Sequence, residues 1–185
     1  IGDAQSALNQ QISGCLSADQ LIKYGSTRIV FGKDITNSYS SPSVAENNPT
    51  TILVKVSHVA ARLDFSQFDV TLKGFEGNPT VVFDEAKFVN LQQNGKIVEG
   101  DASVNVKDVA FLNRSNRIGT RWTDLGTAYG YANQYRQDSE MNTALYVKFT
   151  VDGRTFEKTY PINPAGITKE VDHNGIKGGY LYDIK

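Results

Sequence analysis

Leu145-Tyr146-Val147-Lys148-Phe149-Thr150-Val151-Asp152-Gly153-Arg154-Thr155-Phe156-Glu157-Lys158-Thr159-Tyr160-Pro161-Ile162 is the stretch on which the reading of the fold turns. Apolar and polar residues alternate on both sides of Asp152-Gly153, the pair that best tolerates the two positive φ angles of a type I′ turn. A two-residue loop fixes the register. Val151 then lies opposite Arg154, Phe149 opposite Phe156, Val147 opposite Lys158 and Leu145 opposite Tyr160 on one face, with Thr150/Thr155, Lys148/Glu157 and Tyr146/Thr159 on the other. Packed and oppositely charged cross-strand pairs of this kind contribute roughly 0.2–1 kcal/mol each.

Upstream the same period of two continues. From Thr51 to Phe65, Ile52, Val54 and Val56 share one parity, and Val59, Ala61, Leu63 and Phe65 share the other. A switch near Ser57-His58 implies a bulge or a strand passing from one sheet to another. Val104 and Val106, then Val109 and Phe111, repeat the switch at Lys107-Asp108. Strands that begin on one face and finish on the other suit the corners of a two-sheet sandwich. Short strands are also expected at Thr27–Phe31, Val70–Leu72, Thr80–Phe83, Lys87–Leu91 and Tyr180–Lys185, with Asn94-Gly95 as a turn before Lys96–Val98.

The N-terminal end reads differently. Leu8, Ile12, Cys15 and Leu16 recur at helical spacing, and Ser17-Ala18-Asp19-Gln20 has the form of a capping box, so one or two short helices ending at Gly25 are expected. Asp34–Pro49 is a polar loop. Residues 113–141, with scattered glycines and tyrosines, read as a junction between two sandwich domains, 1–116 expected to be incomplete at its start and 117–185 at its end. The chain opens at Ile1 without an initiator Met and stops within an alternating pattern, the form of a piece of a longer precursor.

Composition bounds the chemistry. Of 185 residues, 16 are Gly, 9 Tyr and 9 Phe, against one Met and one Trp, a balance that favours strands and turns. The formal charge of −1 gives no uniform field to attract nucleic acid, and no apolar run approaches the ~20 residues of a membrane-spanning helix. One cysteine excludes an internal disulfide framework, and two histidines leave little for His-centred catalysis. No phosphate-cradling glycine loop, nucleophile elbow or HExxH helix occurs. The chain therefore reads as no enzyme, with no cofactor and no metal.

Weaker features have bland alternatives. Glu170, Asp172, His173 and Asn174 form a polar cluster better read as a solvated loop than as a cation site. Asn113-Arg114-Ser115 fits a glycosylation acceptor. Ile12-Ser13-Gly14-Cys15 has the shape of a lipoprotein box, without the apolar run that precedes real ones. Trp122, Tyr129, Tyr131 and Tyr135 form a candidate stacking platform for sugars, set against a small core beneath a long loop.

One segment carries a family resemblance. His58-Val59-Ala60-Ala61-Arg62-Leu63-Asp64, following a polar loop, resembles the motif strand of the Bacteroidetes fimbrillins, the type V pilins and Mfa-like fimbrial proteins. Val104–Asn113, Tyr160-Pro161-Ile162, and Gly179 with Tyr182-Asp183-Ile184 are similar to later family strands in the right order, and together the echoes span residues 27–185. The resemblance implies two tandem transthyretin-like β-sandwiches, exported as a lipoprotein precursor and displayed on the outer membrane. It implies assembly with other fimbrial subunits, in which cleavage after an arginine removes a strand and a neighbour's strand fills the groove, and contact with host or bacterial surface ligands. The chain is shorter than the family pattern, and neither the cleavage arginine nor groove residues can be placed. The competing reading is a non-catalytic glycan-binding module of a surface protein, using the aromatic platform.

Overall fold

This computed structural model describes residues 11–13, 18, 21–30, 33, 49–97, 102–112, 117–164 and 174–185. In chain order the strands are β1 (Gln11–Ser13), β2 (Lys23–Tyr24), β3 (Ser57–His58), β4 (Ala61–Asp69), β5 (Val81–Gln92), β6 (Asn94–Lys96) and β7 (Val106–Leu112). There follow β8 (Arg117–Ile118), β9 (Arg121–Gly130), β10 (Asn133–Gln134), β11 (Ala144–Val151), β12 (Arg154–Pro161), β13 (Gly175–Ile176) and β14 (Leu181–Ile184). A five-stranded sheet has the order β12-β11-β5-β7, with β8 also on β5, and a three-stranded sheet has the order β14-β4-β9. Three two-stranded ribbons, β1-β6, β2-β3 and β10-β13, complete the described strands.

The two larger sheets face each other across one core. Ala61, Leu63 and Phe65 of β4 and Trp122, Leu125 and Ala128 of β9 meet Val81, Phe83, Ala86, Phe88 and Leu91 of β5 and Leu145, Val147 and Val151 of β11. Phe83 is fully buried at the centre. Its ring stacks on Phe68 at 4.9 Å, tilts against Trp122 at 5.1 Å and meets Phe65 edge-on at 6.4 Å.

Bulges keep the apolar residues on the core side. In β5 the buried residues are Val81 and Phe83, then Ala86 and Phe88, then Leu91, so parity changes twice. The pairing with β11 skips Asp84 and the pairing with β7 is irregular between Phe88 and Leu91, where Asn90 has φ 57°. Each extra residue rotates the following side chains to the other face. The two short strands expected at Thr80–Phe83 and Lys87–Leu91 are therefore one strand with a flaw in its middle. β9 uses the same device against β4, where Asp124 (φ 52°) and Leu125 together face the single Ser66.

The β11–β12 hairpin has the expected register at every pair from Leu145↔Tyr160 to Val151↔Arg154. Asp152 (φ 44°) and Gly153 (φ 79°) supply the two left-handed residues of the turn. The turn is tied to the start of β5: the Asp152 N–H donates to the Thr80 carbonyl at 3.0 Å, and the Thr80 N–H donates to Asp152 Oδ1 at 2.7 Å.

Other expectations are corrected. The helices expected before Gly25 are absent among the described residues. Gln11–Ser13 pairs with β6 and Lys23–Tyr24 pairs with β3, so the backbone groups of these short pieces are satisfied by a neighbouring chain segment rather than within a helical turn. Residues 27–30, 70–72 and 51–56 lie outside any strand, and the switch at Ser57-His58 is a passage from the β2-β3 ribbon into the β4 sheet. Asn94-Gly95 sits within β6, where Gly95 pairs with Ile12, and is not a turn. Residues 113–141 are no inter-domain junction. They contain β9, which pairs with β4 from Ala61↔Gly130 to Asp69↔Arg121, and β11 beyond them pairs with β5. Strands from both sides of the expected boundary share sheets and one core, so the described residues form one sandwich where two in tandem were expected. Cys15, most of the 34–49 loop, Asn113-Arg114-Ser115 and Glu170, Asp172 and His173 lie outside the described residues.

β14 joins β4 in parallel, the one parallel pairing among the described strands, with Leu181↔Arg62 through Ile184↔Phe65. The Ser66 hydroxyl donates to Asp183 Oδ1, and Lys185 Nζ pairs with Asp183 Oδ2 at 2.9 Å. The Ser66 bond first, and then Lys185, hold the Asp183 carboxyl below its ordinary range.

Two predictions follow from this packing. Phe83→Ala removes a ring touched from both sheets and is expected to destabilise by roughly 3–5 kcal/mol, read as a fall in the urea midpoint with the slope unchanged. On the outer face of the hairpin, the Tyr146 hydroxyl donates to Glu157 Oε2 at 2.8 Å. That bond, then burial, then the Glu157 charge push the phenol from its ordinary value near 10 up to about 12. A raised pKa stabilises the folded state fully below the unfolded value and is lost as pH rises through the folded one. Unfolding midpoints should therefore fall between pH 10 and about 12, and Tyr146→Phe should flatten that part of the curve.

Candidate functional site

At one end of the sandwich the strands run past the core. β4 and β14 begin there, and β5 and β9 end there: Ala61 pairs with Gly130, Leu181 with Arg62, and the Tyr131 N–H donates to the Gln92 carbonyl at 2.9 Å. The ribbons β2-β3, β1-β6 and β10-β13 continue from this end, and a cleft of about 720 Å³ opens among them. Its size falls in the ~300–1,000 Å³ range usual for ligand sites.

Buried amides that are already bonded build its floor. Gln92 Nε2 donates to the Ser103 carbonyl at 3.1 Å while its Oε1 accepts the Asn105 N–H at 2.8 Å. Asn94 Nδ2 donates to Ser103 Oγ at 3.0 Å. Asn133 Nδ2 donates to Thr143 Oγ1 at 2.9 Å, and Thr143 Oγ1 in turn donates to the Asn90 carbonyl at 2.9 Å. This second network fastens the 135–143 loop to the left-handed Asn90. Asn142 holds the loop's other side: its Oδ1 accepts the Arg136 N–H at 2.8 Å, and its Nδ2 donates to the Arg136 carbonyl.

Tyr131 is buried in the cleft wall with its ring against Gly95, and burial pushes its phenol pKa up. A Cβ on Gly95 would lie 2.4 Å from the ring, so only glycine fits there. Gly178 meets the chain as closely, since a Cβ would stand 2.1 Å from the Val59 carbonyl oxygen. Basic residues Lys55, Lys96, Arg136 and Lys177 line the cleft beside His58, and no Asp or Glu is among its described lining residues.

The expected aromatic platform is not assembled. Trp122 is in the core, stacked on Phe68 at 5.8 Å. Tyr129 lies opposite Arg62 on β4, and Tyr135 is held in a loop by its N–H bond to the Asn174 carbonyl at 3.1 Å. Of the four, Tyr131 alone lines the cleft. Alternation along β9 puts Trp122 and Tyr129 on opposite faces, and Tyr131 and Tyr135 lie beyond the end of that strand.

The motif strand is divided by role. Ala60, Ala61 and Leu63 are buried, Ala60 although its parity is opposite to that of Ala61 and Leu63. Arg62 Nε pairs with Asp64 Oδ1 at 2.8 Å, and the Thr127 hydroxyl donates to the same oxygen at 2.8 Å. His58 and Val59 lie at the cleft. No group of three His, Cys, Asp or Glu that could hold a metal occurs among the described residues.

A second unusual surface lies along the sheet edges. β12 is the edge of the five-stranded sheet and is exposed along its whole length. Phe156 and Tyr160 lie opposite Phe149 and Leu145, so they face the core side, yet they are 41% and 50% exposed. β9 packs against β7 and β5, which places β14 toward the β12 side of the sandwich. No described strand pairs with the outer edge of β14.

No family model matches the chain, and no curated protein matches it. Among solved structures it is similar to a candidate cell adhesion protein from Parabacteroides distasonis, with 22% identity over 70% of this chain and a TM-score of 0.53. The match covers 45% of that protein, so this chain spans less than half of its length. At that identity the likeness is one of fold.

Proposed function

We propose that the chain is a structural subunit or adhesin of cell-surface fimbriae, joined to neighbouring subunits by strand addition. The open corner between β12 and β14 carries this reading. Phe156 and Tyr160 sit on the core-side face of the edge strand β12, yet both are exposed among the described residues. β14 offers beside it an outer edge with which no described strand pairs. A strand added to β14 satisfies the backbone groups of that edge and covers the two aromatic rings in one step, the physics of β-augmentation.

The fold likeness to a candidate adhesion protein of Parabacteroides supports a surface role. The motif strand and the later echoes support the fimbrillin resemblance, with a transthyretin-like sandwich, export through the periplasm as a lipoprotein precursor and display at the outer membrane. The work of such a protein is pairing, and it needs no catalysis.

The test is assembly of the full-length protein, before and after limited trypsin digestion, followed by light scattering and electron microscopy. Polymers are expected from the parent. Phe156→Lys with Tyr160→Lys should leave monomers, with a melting temperature within a few degrees of the parent because both rings are exposed. A parent that stays monomeric throughout, or a double variant that polymerises equally, overturns strand addition at this corner.

A further inference from the structure

We infer that the cleft among the three ribbons binds an acidic oligosaccharide, one that carries carboxylates on a polyhydroxyl chain. This site is separate from the open corner and needs no assembly.

Charge is the first argument. The chain as a whole carries a formal −1. Yet Lys55, Lys96, Arg136 and Lys177 converge on one concavity from four separate segments, and no carboxylate is among its described lining residues. None of the four has a carboxylate partner within ion-pair distance among the described residues; Lys177 Nζ stands over the Tyr180 ring at 5.7 Å. Several like charges facing one hollow repel one another. A concave wall focuses their field onto whatever enters, and an anion relieves the repulsion.

The remaining chemistry selects the kind of anion. The floor amides Gln92, Asn94 and Asn133 are committed to the protein's own groups. At the rim, the side-chain amides of Gln134 and Asn174 make no hydrogen bond to the described residues, and the hydroxyl-bearing Tyr24, Ser26 and Ser57 also line the cleft. Amide and hydroxyl groups of this kind both donate and accept, as sugar hydroxyls do. The volume of about 720 Å³ suits several sugar rings better than a lone small anion.

The test is calorimetric titration of the intact chain with trigalacturonic acid, with the neutral trisaccharide cellotriose and with hexaglutamate. Binding of the acidic sugar is expected, weakened as salt rises from about 50 to about 300 mM. Lys96→Gln and Arg136→Gln should each weaken it roughly tenfold, the scale of one charge-assisted contact. Lys148→Gln, on the outer face of β11, should not change it. The bonds that hold Arg136 come from its backbone, so the loop survives that substitution; an unchanged melting temperature confirms this for both variants. Equal binding of cellotriose, tighter binding of hexaglutamate, absence of binding by trigalacturonic acid, or indifference to both charge removals overturns the proposal.

Discussion

Everything else in this structure depends on Phe83 and the rings around it. Phe68 of one sheet stacks on Phe83 of the other, and Trp122 closes the third side. Each of these rings brings a large apolar area and a geometry that fixes how the sheets sit. β4, β5 and β9 must therefore aim their aromatic residues at one point, and the bulges at Asp124, Asp84 and Asn90 allow it. Without them, the period of two would send half of the apolar residues of β5 into water.

That arrangement explains which parts of the fold were legible in the sequence. A hairpin is a local object: Asp152-Gly153 sets the turn, the turn sets the register, and every pair from Leu145 to Tyr160 could be written in advance. β5 was half legible. Its two halves show clean alternation, but the bulge between them looks like a gap in the sequence and was read as two strands. β9 was hidden, because Gly126, Gly130 and the surrounding tyrosines resemble a loop. Its strand character comes from pairing with β4, a partner some sixty residues away. Propensity is a weak guide where the partner strand decides. The same holds at the N-terminal end, where spacing suggested helix and pairing with β6 and β3 made strand.

The candidate sites follow the same division. The motif around His58 to Asp64 was visible in the sequence, and most of it serves packing: small Ala60 and Ala61 sit where the chain at Gly178-Gly179 comes close, with the Gly179 N–H donating to the Ala60 carbonyl at 2.9 Å. The basic cleft was invisible. Lys55, Lys96, Arg136 and Lys177 share no spacing and no motif, and only the topology brings them to one end. The aromatic platform is dispersed because Trp122 points from β9 into the core while Tyr129 points from the opposite face of that strand and Tyr131 lies past its end.

A closed core also determines where function can reside. The aromatic cluster covers β11 and β5 but stops short of β12, so one edge keeps apolar residues that a folded monomer does not bury. At the end where β5 and β9 run out, the sheets part into ribbons. The buried floor there spends its amides on holding those ribbons, as Gln92, Asn94 and Asn133 do. The side chains of Lys55, Lys96 and Arg136 on the walls have no ion-pair partner among the described residues, so they carry charge there without drawing on the core. The edge offers backbone and aromatic surface; the cleft offers cations and hydroxyls. The two surfaces differ in chemistry, so the strand addition proposed at the edge and the acidic sugar proposed for the cleft draw on different parts of the same fold.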